Sequence, residues 1–138
     1  MSVKVQGRPL SHPQWWFDEV VHPNFIEAKS DWSCLRKRVN AIATTYHFAE
    51  RIFCYCKEQR DDWLDGAKSP EHLGRCLVSN HTTWNTLNEA VNAVKHQKRK
   101  HPPYRTASEV MEESCLPLDS LETVIDAWQD WLRKHPKT

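Results

Sequence analysis

Between Asp31 and Arg60 apolar residues recur at alternating intervals of four and three, at Leu35, Val39, Ile42, Tyr46, Ala49, Phe53 and Cys56. That spacing keeps side chains on one face of an α-helix. A second row, Ala41, Phe48, Ile52 and Tyr55, adjoins the first. Together the rows cover more than half the helix circumference, and one partner helix cannot cover both. The pattern predicts one long helix over Asp31 to Arg60, central and packed on two sides, with Phe53 as a core position. Its opposite face carries Asn40, Thr44, His47, Arg51, Cys54 and Glu58.

The flanking segments are shorter. Residues 1–30 are interrupted by Pro9, Pro13 and Pro23 and are sticky through Trp15, Trp16, Phe17, Val20, Phe25 and Ile26, so they read as an aromatic N-terminal arm lying on its own core. Self-association is the rival reading of the arm. Asp61 to Gly66 forms a reversing link. Ser69-Pro70-Glu71 gives an N-cap and a first-turn proline for a helix to about Ser79. The cap-forming residues Asn80, His81, Thr82 and Thr83 predict a break, then a helix to about Lys100 with Trp84, Leu87, Val91 and Val94 as its apolar row. Pro102 and Pro103 end it. Thr106 to Glu109 has the capping-box pattern and opens a short helix to about Cys115. Asp119 or Ser120 is expected to cap a final helix whose buried stripe is Leu121, Val124, Ile125, Trp128 and Leu132. The expected fold is all-α: an N-terminal arm over 1–30, and over 31–138 a single-domain bundle of four to five helices around one long central helix.

Composition supports this reading. A chain of 138 residues fits one domain and buries roughly 68–70% of its unfolded surface without needing disulfides. Only 3 glycines are present, too few for the many tight turns of a sandwich or barrel. The 7 tryptophans are spread along the chain, which suits packing better than a stacking platform for bases or sugars. With 19 basic and 18 acidic residues the net charge is +1, so any attraction to nucleic acid must be local. The five cysteines lack C-x-x-C spacing and read as reduced thiols, and the chain shows neither a membrane span nor a signal-peptide pattern; the expected location is cytoplasmic. No metal and no cofactor are expected, although His47 and Cys54 with a third ligand from elsewhere would make a conceivable zinc site.

Three groups of residues are candidates for function. First, the later helix carries the polar ladder Asn85, Asn88, Asn92, Lys95 and Arg99. Asparagine is a poor helix former, so three at helical spacing invite an explanation beyond local stability. Were this face to meet that of the long helix, His47, Arg51, Asn92 and His96 would form a site for a small polar or anionic ligand; two solvated faces are the plainer reading. Second, Lys95, Lys98, Arg99 and Lys100 form a basic run able to contact the phosphates of RNA, and equally suited to the negative end of a helix dipole. Third, Arg75 and His81 stand in an Arg-x5-His arrangement.

Residues 38–50 (RVNAIATTYHFAE) resemble the long helix of an uncharacterised family of small bacterial proteins, in which an Asn-Ala segment precedes a His-Leu-Ala-Asp/Glu pattern. Residues 92–96 (NAVKH) resemble that family's second signature, Asn-Ala-x-Lys-His. The resemblance spans about residues 15–132 and implies a helical bundle without an established activity; Phe48 stands where the family usually has Leu. Residues 75–81 (RCLVSNH) are more loosely similar to the HEPN superfamily, all-helical domains that often dimerise and include metal-independent ribonucleases. That likeness implies that Arg75 steadies a phosphate while His81 moves the proton of a ribose 2′-hydroxyl. Cys76 departs from it, since a polar residue commonly follows the Arg. The leading expectation is a non-enzymatic, self-associating helical interaction protein, with a HEPN-like RNA-binding or RNA-cleaving protein and a small polar-ligand binder as alternatives.

Overall fold

Leu35–Gln59 is the helix on which every other described element packs. The computed structural model describes residues 11–96 and 117–137, with the backbone alone at 93–96. In chain order these form α1 (Pro13–Trp16), a π-helical turn (Phe17–Val21), α2 (His22–Ser30), α3 (Leu35–Gln59), a 3-10 turn (Asp61–Leu64), α4 (Pro70–Leu77), α5 (His81–His96) and α6 (Leu118–Lys134). Among the described residues there is no strand, and the fold is the expected all-α bundle. The expected helix of residues 106–115 and the basic positions Lys98, Arg99 and Lys100 lie outside the described residues.

The N-terminal segment is helical through both Pro13 and Pro23. Its buried positions, Pro13, Phe17, Val21 and Phe25, recur every four residues, a step longer than the 3.6-residue turn of an α-helix. The wider π turn reduces the rotation per residue and holds these four on one side. It also relieves the clash of the Pro23 ring with the preceding turn. Asn24 donates from its side-chain amide to the Val20 carbonyl at 2.9 Å. Phe17, Val21, Phe25 and Ala28 thus enter the core beside α3.

α3 begins four residues later than Asp31. Ser33 Oγ donates to Asp31 Oδ1 at 3.1 Å, and Asp31 has φ −150°, so polar side chains here favour a turn over the first helical residues. The burial face also differs from expectation. Ala41, Ile42, Thr45, Phe48, Ala49, Ile52 and Cys56 are buried, whereas Leu35, Val39, Tyr46 and Phe53 are only half-buried. Phe53 is therefore a flank of the core and Phe48 its centre, because the arm and α6 press on the second row. At the far end Asp65 (φ 51°) and Gly66 (φ 84°) turn the chain in the left-handed region, which glycine adopts without strain.

Ser69 caps α4 by accepting from the His72 N–H at 3.0 Å, and Pro70 stands in the first turn, as expected. Asn80 caps α5 through Oδ1, which accepts from the Thr83 N–H at 3.1 Å. α6 starts at Leu118 with no side-chain cap, one residue before the anticipated Asp119. Trp131 joins its predicted buried stripe.

Two clusters of rings join these elements. In the first, Trp128 lies 5.8 Å from Phe48 and 5.9 Å from Trp84; Phe48 meets Phe17 at 5.5 Å, and Tyr46 stacks on Trp84 at 5.0 Å. In the second, Trp63 and Trp131 gather around His12, Tyr55 and His135. Here His12 ties the two ends of the described chain together. Its Nδ1 accepts from the Gln14 N–H at 3.0 Å, capping α1, and its Nε2–H donates to the His135 carbonyl at 2.8 Å. Those two bonds require the neutral ring with the proton on Nε2.

Truncation of Phe48 to Ala should cost about 3–5 kcal/mol by urea unfolding, and Phe53→Ala distinctly less; equal losses would show that the burial face is misassigned. A second expectation concerns pH. Burial chiefly, with Lys137 assisting, lowers the His12 pKa from its usual 6.5, although the bond to His135 acts in the other direction. Burial, then Arg60 and Lys134, lowers that of His135. The unfolded chain takes up these protons first, so the stabilisation is complete above the unfolded value and is lost as pH falls through the lowered folded values. The melting temperature should drop between about pH 7 and 5, and His12→Asn, which keeps a capping acceptor but does not titrate, should show a smaller slope. An unchanged slope in that variant would remove His12 from the explanation.

Candidate functional site

Two shallow grooves run along the outward side of α3 and share His47 and Glu50 as a common wall. The first, about 310 Å³, lies between α3 and the start of α4 and is lined by Tyr46, His47, Ala49, Glu50, Ser69, Pro70, Glu71 and Trp84. The second, about 420 Å³, lies toward the arm and is lined by Trp16, His47, Glu50, Arg51 and Cys54. Tyr46, His47 and Glu50 occupy one side of α3 by the helical i, i+4 relation. The Ser69 cap and Pro70 fix where α4 begins, and so bring Glu71 to the opposite rim.

The floor of the first groove is set by a close approach. Gly74 of α4 faces the Trp84 indole so tightly that a methyl group there would overlap the ring. Trp84 is 1% exposed, lies under Tyr46 with an interplanar angle of 20°, and has its Nε1–H buried with no hydrogen-bond partner among the described residues. Burial, followed by the nearby Glu71 carboxylate, raises the Tyr46 pKa above its usual value; Arg75 opposes this and Glu50 adds to it. The lining carries two carboxylates and no Lys or Arg. Glu71 accepts from Asn88 Nδ2 at 3.3 Å and pairs with Arg75 at 3.6 Å, whereas Glu50 has no hydrogen bond or ion pair among the described residues.

The residues singled out from sequence are distributed differently from the expected cleft. His47 and Arg51 do line grooves, but the Arg51 guanidinium lies 3.9 Å from the centre of the Trp16 ring and ties α3 to α1. Asn92 is exposed on α5 and donates to Asn88 Oδ1 at 3.3 Å, and Asn88 in turn reaches Glu71. Asn88 thus links α5 to α4 with Asn92 bonded to it from the next turn, which gives two of the three asparagines a tertiary or local role. Of Lys95 and His96 only the backbone, within α5, is described. Arg75 is exposed and faces Glu71 on its own helix, while His81 is exposed in the first turn of α5. Among the described residues no contact joins Arg75 to His81, and Asn80 is occupied as a helix cap.

Metal binding finds no cluster either. Among the described residues no three His, Cys, Asp or Glu side chains are placed to hold a metal ion. Burial and then Glu50 raise the Cys54 thiol pKa, and burial with Asp62 pushes that of Cys56 up to about 11. Both shifts disfavour the thiolate that metal ligation or nucleophilic attack requires. No helix among the described residues is long and apolar enough to cross a membrane.

No family model matches the chain, and no curated protein or solved structure matches it. The functional reading therefore rests on its own residues. Glu50, Glu71, Tyr46 and Trp84 were not marked as site residues by sequence reasoning: the two aromatics counted as core, and nothing in the sequence relates Glu50 to a carboxylate 21 positions away. The Ser69-Pro70 start signal was the available clue to where Glu71 would sit.

Gly74→Ala should destabilise the protein by about 1–3 kcal/mol, the usual cost of overpacking, and should displace the Trp84 ring. Denaturant unfolding with near-ultraviolet circular dichroism checks this. Wild-type stability with an unchanged aromatic signal would mean that α4 does not press on Trp84.

Proposed function

We propose that this chain is a non-enzymatic helical interaction protein that associates with a second copy of itself through its N-terminal arm. The observation that carries the reading is the exposure of Trp15 (53%) and Ile26 (47%) on a segment whose other side is buried in the core. Trp16 is held by Arg51, whereas Trp15 has among the described residues only a ring contact with the neighbouring Trp16, at 5.9 Å. Two large apolar side chains left about half in water on one arm favour association, and a tryptophan anchor is a common centre of such interfaces. A second copy presents the same pair, which suits a two-fold contact.

Kinship with the family of small all-helical bacterial proteins belongs to this proposal, as does a cytoplasmic location. Supporting the kinship, residues 38–50 lie in α3 and residues 92–96 near the described end of α5. Supporting the location, Cys34, Cys54, Cys56 and Cys76 are free thiols. RNA cleavage is left out of this reading, because among the described residues no contact brings Arg75 and His81 together and Asn80 between them is used as the α5 cap.

Sedimentation equilibrium tests the association. The wild-type chain should form a dimer at micromolar concentration, and Trp15→Ser with Ile26→Ser should weaken it at least tenfold without lowering the melting temperature, since both side chains are exposed. A wild-type protein that stays monomeric up to millimolar concentration would end the proposal.

A further inference from the structure

His12 stands where the start of α1 meets the end of α6, and both nitrogens of its ring are committed. Nε2–H donates to the His135 carbonyl at 2.8 Å, and Nδ1 accepts from the Gln14 N–H at 3.0 Å. The ring is half-buried, edge-on to Tyr55 at 5.2 Å and beside Trp63 and Trp131 at 6.4 and 6.2 Å. Only the neutral imidazole makes both bonds. A proton on Nδ1 would set one donor against another at Gln14, which removes the cap of α1 and leaves a charge among apolar rings. The charged and titratable groups around it are Tyr55 on α3, Arg60 and Asp62 at the 3-10 turn, Lys134 on α6, and His135 and Lys137 after it. Asp62 is the one carboxylate among these, and Arg60 already donates to it twice, at 3.2 and 3.0 Å. His135, 4.7 Å from Trp63 and 4.6 Å from Trp131, would add a second cation to the same cluster when protonated. The lowered pKa of both rings, due first to burial, agrees with this geometry: protons bind better once the contact has opened.

Opening here does not require the core to open. Apart from His12, α1 is held by the buried Pro13 and by Trp16 under Arg51, and the next residue, Phe17, is fixed against Phe48. A short segment beyond its last core anchor opens at far lower cost than the whole domain. We propose that His12 is a pH-operated clasp, whose protonation releases residues 11–16 from Tyr55, Trp63 and the end of α6 while the core around Phe48 and Trp128 stays packed. Release uncovers one side of Trp131 and frees the turn that carries Trp15, so acid changes the aromatic surface the chain presents before it melts the bundle.

The experiment is a titration of the full-length, isotopically labelled protein from about pH 7.5 to about pH 5, across the histidine range. Along the His12 ring titration the Gln14 and Trp15 amides should shift, and their order parameters should fall from about 0.85 to below about 0.6. The Trp63 and Trp131 indole signals should shift with them, whereas the Trp128 indole, bonded to Thr45, should stay in place. His12→Asn keeps a capping acceptor without a titrating ring and should abolish the step at Gln14. His135→Asn keeps the backbone carbonyl that His12 uses and should retain it. Spectra at pH 7.5 verify that both variants fold. In the Trp15→Ser, Ile26→Ser background the Gln14 step should persist, which separates the clasp from self-association. Its disappearance there would assign the effect to association and overturn the proposal. So would a Trp128 signal lost at the same midpoint, a rigid Gln14 amide with the His12 ring protonated, or an unchanged step in His12→Asn. Loss of the step in folded His135→Asn would place the operative proton on the other ring and overturn it as well.

Discussion

The indole N–H of Trp128 has to be satisfied inside the core, and the backbone carbonyl of Thr45 satisfies it at 2.9 Å. The N–H of a buried tryptophan usually finds an acceptor, though that of Trp84 does not among the described residues, and for Trp128 the acceptor is a carbonyl in the middle of α3. That bond sets the register of α6 against α3. It also positions the ring that carries the rest of the bundle: Phe48 and Trp84 pack on Trp128, Phe17 packs on Phe48, Tyr46 stacks on Trp84, and Gly74 closes on Trp84 from α4. Through five aromatic rings and one glycine, the arm, α3, α4, α5 and α6 are referred to one residue. Burial of such side chains contributes on the order of 2 kcal/mol or more each, and ring-to-ring geometry adds direction to it.

The groove is a consequence of that arrangement. Tyr46 is held by its stack on Trp84, and Trp84 is held by Trp128 on one side and Gly74 on the other. A groove floored by rings held from two sides keeps its shape. The carboxylates on its rims sit on separate helices whose spacing the aromatic floor maintains. In the second ring cluster His12 plays a comparable part with polar bonds, joining the start of α1 to the residue that follows α6.

Several side chains that suggested chemistry in the sequence are used in packing. Arg51 lies on Trp16, Asn88 bridges α5 to Glu71, and Asn80, within the Arg75–His81 stretch, caps α5. Each satisfies a structural requirement: a covered ring, a tied pair of helices, a capped terminus. Conversely, Glu50 carries no such duty among the described residues and lies on the wall shared by the two grooves.

The helical class, the long central helix, the α4 start at Ser69-Pro70 and the α6 stripe were legible in the sequence, because helical periodicity and capping chemistry are local properties that neighbouring residues express together. Which residues of the two adjoining apolar rows form the centre of the core was not legible: Ile42, Ala49 and Cys56 of one and Ala41, Phe48 and Ile52 of the other are buried. The rows are equally apolar, and only the approach of the arm and α6 buries Phe48 and leaves Phe53 half-covered. The helical course of the arm through Pro23 was likewise hidden: proline signals a break, and the π turn that accommodates it is stabilised by burying Phe17, Val21 and Phe25 against distant residues. The candidate site is almost entirely a tertiary product. Glu50 and Glu71 are ordinary surface acids within their own helices, and Trp84 an ordinary core aromatic. Their combination comes from the angle at which α4 meets α3, decided by a glycine against a tryptophan ring.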